Sequence, residues 1–241
     1  LLKSMDGFLF AADELGESWF DRGVLTDANA IFTVMEGSTE FGPGDSQVSR
    51  AKTGLAGAPV LLWVGRLDEN KDPLAVLEGF ESSLDVVANA QLYMAYGSCH
   101  LLPAVRAYIE ARPALKNRVH LLGEITHEAL EDYYRSADYF VLGSHHEGSG
   151  YALCEAMACG VVPVVTDIPS FRMMTNSGET GGLWQPGEAQ AFRDCLVGVY
   201  KKPLDLESAK AQALFARRLS FTAIAHETMQ IYDTVLRRKK S

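Results

Sequence analysis

From residue 59 to residue 166 the chain alternates strand-like and helix-like segments in strict turn, and that regularity leaves few folds open to it. Residues 60–64 (VLLWV) are a continuous apolar run, the pattern of a strand buried on both faces. Residues 72–87 follow with Leu74, Leu77, Phe80 and Leu84 at helical spacing, and Asp72-Pro73 reads as an N-cap with proline in the first turn. The alternation continues through a strand at 91–96, a helix at 101–111 and a strand at 119–122. A helix at 127–137, a strand at 139–142, a helix at 151–159 and a strand at 161–166 complete it. Strand and helix in turn, joined by short connections, predict an α/β fold: a Rossmann-like parallel sheet with helices on both faces. Further helices are expected at 189–200, 206–219 and 222–236. Residues 1–58 lack this order. They hold a short apolar run (7–12), an acidic helix-like stretch (14–24), a second apolar run (30–34), a breaker-rich loop (37–44) and a linker (54–59). The expected division is therefore a front segment 1–58, a sheet domain 59–221, and a terminal helix with a basic tail at 222–241.

Bulk properties narrow the function. With 47% apolar and 22% charged residues the composition is that of a globular protein. No run approaches the roughly 20 consecutive apolar residues of a membrane span, and the front carries no signal segment. The chain opens at Leu1 in what reads as mid-protein. A net charge of -9 excludes a basic nucleic-acid surface; the one basic cluster, Arg237-Arg238-Lys239-Lys240, reads as a solvated tail. The four cysteines, Cys99, Cys154, Cys159 and Cys195, have no paired spacing and read as reduced thiols of a cytoplasmic protein. No histidine pattern predicts a metal: His145 and His146 are adjacent, so on an extended backbone they point opposite ways.

In a doubly wound sheet, ligands bind beyond the carboxyl ends of the strands, so the loops after Val64, Tyr96, Leu122, Leu142 and Thr166 are where function is expected. The first, Gly65-Arg66-Leu67-Asp68-Glu69-Asn70-Lys71, sets two cations between a strand end and a helix start. Arg66 offers a planar fork and Lys71 a compact charge, a combination that suits a diphosphate; the alternative is a surface loop whose charges pair with Asp68, Glu69 or Asp72. The segment Ser144-His145-His146-Glu147-Gly148-Ser149-Gly150-Tyr151 is more specific. Two glycines allow close approach of the backbone, and the carboxylates of Glu147 and Glu155 bracket the turn. A carboxylate there can accept paired hydrogen bonds from the vicinal hydroxyls of a ribose or hexose; dipole compensation for Glu155 and plain solvation for Glu147 are the competing readings. Residues 123–127 either hold a base at Glu124 and Ile125 or form a plain connection with Thr126 as helix cap. Residues 166–172 read as a polar turn in which Asp167 touches ligand, caps a helix or shapes the turn.

Taken together, Gly65-Arg66-x4-Lys71, Glu147-x7-Glu155 running into Glu-Ala-Met-Ala-Cys-Gly160, and Gly181-Gly182-Leu183 leading to Pro186-Gly187 resemble the group 1 retaining glycosyltransferases of the GT-B fold. The resemblance spans roughly residues 30–237 and is most specific at 143–165. It implies the C-terminal, nucleotide-sugar-binding half of a hexosyltransferase, working without a metal or other cofactor, with a nucleotide-diphosphate sugar as donor substrate. Arg66 and Lys71 would hold the diphosphate and stabilise the leaving nucleotide. Glu147 would lie at the sugar and Glu155 at the ribose. Gly65 and the backbone of Gly148, Ser149, Gly150 and Tyr151 would stand close to sugar and phosphate. The acceptor, whether saccharide, lipid or small molecule, is not given, and any peripheral membrane contact would belong to the other half. Two positions depart from the family pattern: Ser149 stands before Gly150 where an aromatic is usual, and Phe171-Arg172 stands where many members have a glutamate. The front segment, too short for a second domain, matches that domain's last strand and helix with the connector at 34–41, so the chain alone is expected to bind donor without turnover.

Other functions fit less well. A dinucleotide oxidoreductase would use Gly148-x-Gly150 with Asp167 seventeen residues on (167 - 150), but Leu153 stands where the third glycine belongs. No Gly-x4-Gly-Lys-Ser/Thr occurs. A hydrolase built on Glu147 and Glu155 lacks a reason for both to face one bond. A non-catalytic nucleotide-sugar-binding module is the remaining alternative.

Overall fold

The computed structural model describes residues 5–238; Lys239 and Lys240 of the basic cluster, and the opening Leu1, lie outside them. Six strands form one parallel sheet: β3 (Val60–Gly65), β4 (Gln91–Tyr96), β5 (Val119–Gly123), β6 (Tyr139–Leu142), β7 (Val162–Thr166) and β8 (Gly182–Trp184). Their order is β5-β4-β3-β6-β7-β8. The chain winds outward from β3 in one direction, returns, and winds outward from β6 in the other, so the crossover lies between β3 and β6. α3 (Pro73–Ser83) packs with α4 (Leu102–Glu110) and α8 (Ala189–Tyr200). α5 (His127–Ser136) packs with α2 (Ser46–Thr53) and α6 (Tyr151–Ala158), and α6 with α9 (Leu204–Leu214). Right-handed crossovers put these two groups on opposite faces. The strands are mostly apolar because both faces of the sheet are covered, and Trp63, Phe80, Phe140 and Phe192 are fully buried in the core.

Four elements depart from the sequence reading. The supposedly irregular stretch before residue 54 contains α2, capped at one end by Asp45, whose carboxylate accepts from the Gln47 and Val48 amides, and at the other by Gly54 in the left-handed region. α2 has no apolar stripe. Polar contacts dock it: Arg50 reaches the Ser136 carbonyl at 2.9 Å and Asp138 at 2.9 Å, and Ser49 and Lys52 share Asp132. Residues 166–172 are not only a turn, since α7 (Pro169–Thr175) starts there, with Pro169 in its first turn and Phe171 and Met174 buried. Beyond it β8 extends the sheet at Gly182–Trp184, a strand too short to show a period. The expected helix at 206–219 divides into α9 and a wide π turn at Phe215–Leu219, ahead of α10 (Phe221–Arg238).

The front segment folds as a small unit of its own. β1 (Phe8–Phe10) and β2 (Ile31–Thr33) pair in parallel, and α1 (Asp13–Asp21) joins them. α10 leaves the sheet domain and ends against this unit: Arg238 donates to the Asn29 carbonyl and lies over the Phe32 ring. The terminal helix is thus a second link to the front unit.

Burial separates the four thiols. Desolvation pushes Cys154, Cys159 and Cys195 up to about 12, whereas Cys99 is exposed in the loop after β4. Because the thiolate is the reactive form, native protein treated with iodoacetamide at pH 8 should label quickly at Cys99 alone. All four should label after unfolding; peptide mapping reads both results, and rapid native labelling at any second cysteine would contradict this burial.

Candidate functional site

The loops that follow β3 and β6 meet at the crossover, the place where a parallel sheet opens a crevice. They are stapled together. The His145 amide donates to the Asn70 carbonyl at 2.8 Å, the His146 amide to Asn70 Oδ1 at 3.0 Å, and Asn70 Nδ2 returns a bond to the His146 carbonyl at 3.0 Å. His145 Nε2 lies 3.1 Å from Asp72 Oδ2, while Asp72 also caps α3 through the Ala75 amide. A third loop joins them: Thr166 Oγ1 donates to the Ser144 carbonyl at 2.5 Å and Ser170 Oγ to the Glu147 carbonyl at 3.1 Å. Neither Asn70 nor Ser144 stood out in the sequence, since their partners are about 75 and 20 residues away along the chain.

Inside this frame Lys71 Nζ forms an ion pair with Glu147 Oε1, and Ser144 Oγ donates to the same oxygen at 2.6 Å. The side chains of Lys71 and Glu147 retain only 14% and 13% of their exposure, so each charge depends on the other for compensation. Lys71, Leu142, Glu147, Gly148, Ser149, Gly150, Tyr151 and Ala152 line a hollow of about 330 Å³. Gly150 caps α6 in the left-handed region with φ 62°, and a Cβ there would stand 2.9 Å from Met174 Sδ and 3.0 Å from Phe171 Cε1. Gly148 is different. A Cβ there meets nothing within 4 Å, because that position faces the hollow.

A second hollow, of about 780 Å³, adjoins the first at Tyr151. Its walls include Glu155, His127 and Phe41. Glu155 is 9% exposed, and each of its oxygens has a donor: Tyr134 Oη at 2.9 Å from Oε2, and His127 Nε2 at 3.0 Å from Oε1. A carboxylate only accepts, so Nε2 carries the proton. Burial first, then the charge of Glu155 and the bond to it, push the Tyr134 phenol well above its ordinary range and keep it a donor. Simple dipole compensation does not require two side-chain donors on one buried carboxylate.

The structure therefore brings Lys71, Glu147, Gly148, Ser149, Gly150 and Tyr151 together, with Glu155 one hollow away. It does not bring in the others as they stand. Arg66 leans on Asp68 at 3.1 Å with 64% of its side chain exposed, at the mouth of the same loop. Gly65, Glu124 and Ile125 line neither hollow; Glu124 is exposed and Ile125 packs against the core. Thr126 caps α5 through the Ala129 amide. Asp167 does not cap α7: its carboxylate accepts from Arg172 Nε at 2.5 Å, and Arg172 also reaches Glu14 of α1 at 3.5 Å. Hydrogen bonding to Asp167, ahead of its charge, raises Arg172 above its ordinary value. The dinucleotide reading loses its acidic residue here, and its glycines follow β6, not the sheet domain's first strand.

A crevice at the crossover, walled by a paired lysine and glutamate and two glycines with a second buried carboxylate nearby, places the chain in the doubly wound class of ligand-binding α/β domains. Residues 58–202 match the family model for glycosyl transferases group 1, and the chain belongs to that family. Phosphatidyl-myo-inositol mannosyltransferase of Mycobacterium leprae is 30% identical over 193 residues, which is 75% of this chain and 49% of that protein. The chain spans about half the length of the curated relatives it matches. Among solved structures, sucrose-phosphate synthase from Thermosynechococcus elongatus superposes with a TM-score of 0.76 at 23% identity, over 98% of this chain and 60% of that one. Anabaena Alr3699/HepE in complex with UDP and glucose gives 0.73 at 18%, over 97% and 64%.

Proposed function

We propose that this chain is the donor half of a hexosyltransferase that takes a nucleoside-diphosphate sugar and passes its hexose, with retention of configuration, to a hydroxyl acceptor. The observation that carries the reading is the convergence of Lys71, Glu147 and the Gly148–Gly150 backbone on one hollow at the crossover. Glu147 does not repel a diphosphate there, because Lys71 already neutralises it. On binding, Lys71 turns part of its charge to the phosphates, and Arg66, free to swing from the rim, adds a second cation to the departing nucleotide. Glu147 faces the sugar hydroxyls, and Glu155, oriented by Tyr134 and His127, accepts from the ribose. Two cations of the chain itself serve the leaving group, so no metal is needed. The acceptor site and the remaining catalytic groups belong to the other half of a cytoplasmic two-domain protein, and this chain alone binds donor without turnover. The relatives' names fit that picture, since the mannosyltransferase and the UDP complex each handle a sugar or a nucleotide.

Calorimetric titration of the chain with UDP, GDP, ADP and their glucose or mannose conjugates, with and without EDTA, tests it. Binding of one nucleotide, unchanged by EDTA, is the expected result. Glu155→Gln should weaken that nucleotide by about 1.5–3 kcal/mol, the range for a hydrogen bond to a charged group, and weaken its 2'-deoxy analogue less. Equal losses would remove Glu155 from the ribose; no binding by any of them would remove the donor site.

A further inference from the structure

The His127 imidazole is held in an unusual way for a group that contacts a buried carboxylate. Its side chain is 70% exposed, yet its Nε2 sits 3.0 Å from Glu155. What fixes the ring is Phe41, stacked on it with centroids 4.7 Å apart and planes 28° from parallel. Phe41 is no part of the sheet domain's regular structure. It lies in the connector that runs from β2 to α2, and that connector is itself anchored. The Gly42 amide donates to Glu131 at 3.0 Å, and Arg135 Nε donates to the Gly42 carbonyl at 2.8 Å. A little earlier, the connector lies so close to Tyr151 that a Cβ on Gly37 would stand 2.6 Å from the phenol oxygen. The connector thus touches both walls of the larger hollow, one of them through a ring that reaches the carboxylate.

We propose that Phe41, acting through His127, positions the Glu155 carboxylate, so that nucleotide affinity depends on where the connector lies. This rests on the reading of Glu155 as the ribose acceptor. With the stack in place, His127 and Tyr134 take one lone pair on each oxygen and fix the plane of the carboxylate; the remaining lone pairs face the hollow. Without the stack, an exposed imidazole recovers its rotamer freedom, and only Tyr134 orients the group. Displacing the connector therefore removes part of the hollow's wall and, through His127, loosens the carboxylate that stays behind. Phe41 and His127 are positioning residues in this scheme, and a neighbour-coupling effect is its expected size.

The test is calorimetry of the chain with UDP and 2'-deoxy-UDP, and with GDP and 2'-deoxy-GDP, on variants whose thermal unfolding is also followed. Phe41→Ala, and His127→Phe, which keeps a ring to stack but loses the N–H, should each weaken the ribonucleotide by about fivefold or more. The deoxy analogue should change less. Phe41→Tyr should restore wild-type discrimination, and Phe41→Ala should add little in a Glu155→Gln background. If Glu155→Gln costs the ribonucleotide more than its deoxy analogue while Phe41→Ala and His127→Phe weaken both equally, or neither, the relay is wrong and the ribose contact stands. If Glu155→Gln costs both forms equally, or no nucleotide binds, the ribose contact falls and takes the relay with it.

Discussion

Lys71→Ala should abolish nucleotide-sugar binding by this chain at concentrations where the wild type saturates. Two losses add. The ammonium that would meet the diphosphate is gone, worth about 1.5–3 kcal/mol for a charge-assisted hydrogen bond. The Glu147 carboxylate, at 13% side-chain exposure, is also left without its counter-charge beside the phosphates it must now repel. Removing one partner of a buried pair costs about 3–5 kcal/mol of fold stability; the residual exposure and the Ser144 hydroxyl place the expected figure at the low end of that range. The double variant Lys71→Ala, Glu147→Gln separates the two losses: it should recover most of the melting temperature and part of the affinity. If Lys71→Ala binds UDP or GDP as the wild type does, Lys71 has no role at the phosphates. If the double variant melts no higher than the single, the ion pair is not what Lys71 contributes to the fold.

Gly150→Val should unfold the cap of α6. A β-branched residue at φ 62° costs about 1–3 kcal/mol in backbone strain, and its Cβ would stand 2.9–3.0 Å from Met174 and Phe171, adding about 1–3 kcal/mol of overpacking. The expected loss is about 2–6 kcal/mol, read by urea unfolding, with nucleotide binding lost in the same variant because the Gly148–Gly150 backbone moves. Gly148→Ala, two residues earlier, is the control. The added methyl meets no protein atom, so stability should hold within about 0.5 kcal/mol, while a sugar entering the hollow encounters the methyl directly. Unchanged stability in Gly150→Val would mean that the cap can adopt another conformation at little cost.

The sheet domain was legible because its strands are continuous apolar runs and its helices carry stripes; residues 91–96, 139–142 and 189–200 were delimited as they stand in the structure. α2 was not, for a physical reason. Its docking is carried by Arg50, Lys52 and Ser49 against acidic residues 80 to 88 positions away, so no apolar period marks it. Its caps, Asp45 and Gly54, were the one local signal. α7 was hidden by brevity: seven residues after a proline look like a turn until Phe171 and Met174 are seen to be buried. At the site, spacing within one loop foretold the cluster from Glu147 to Tyr151. The partners that orient Glu155 could not be foretold, since His127 and Tyr134 lie on a different helix and Phe41 in a different region of the chain.

The front unit meets the sheet domain along the stretch that carries Phe41, through α10, which follows the π turn at Phe215–Leu219, and through the pair of Arg172 with Glu14. A body fastened at several separated points is part of one frame, not a pendant. The stretch that carries Phe41 is a strut of that frame, pinned to the sheet domain at Gly42, and the ring stacked on it stands against Glu155.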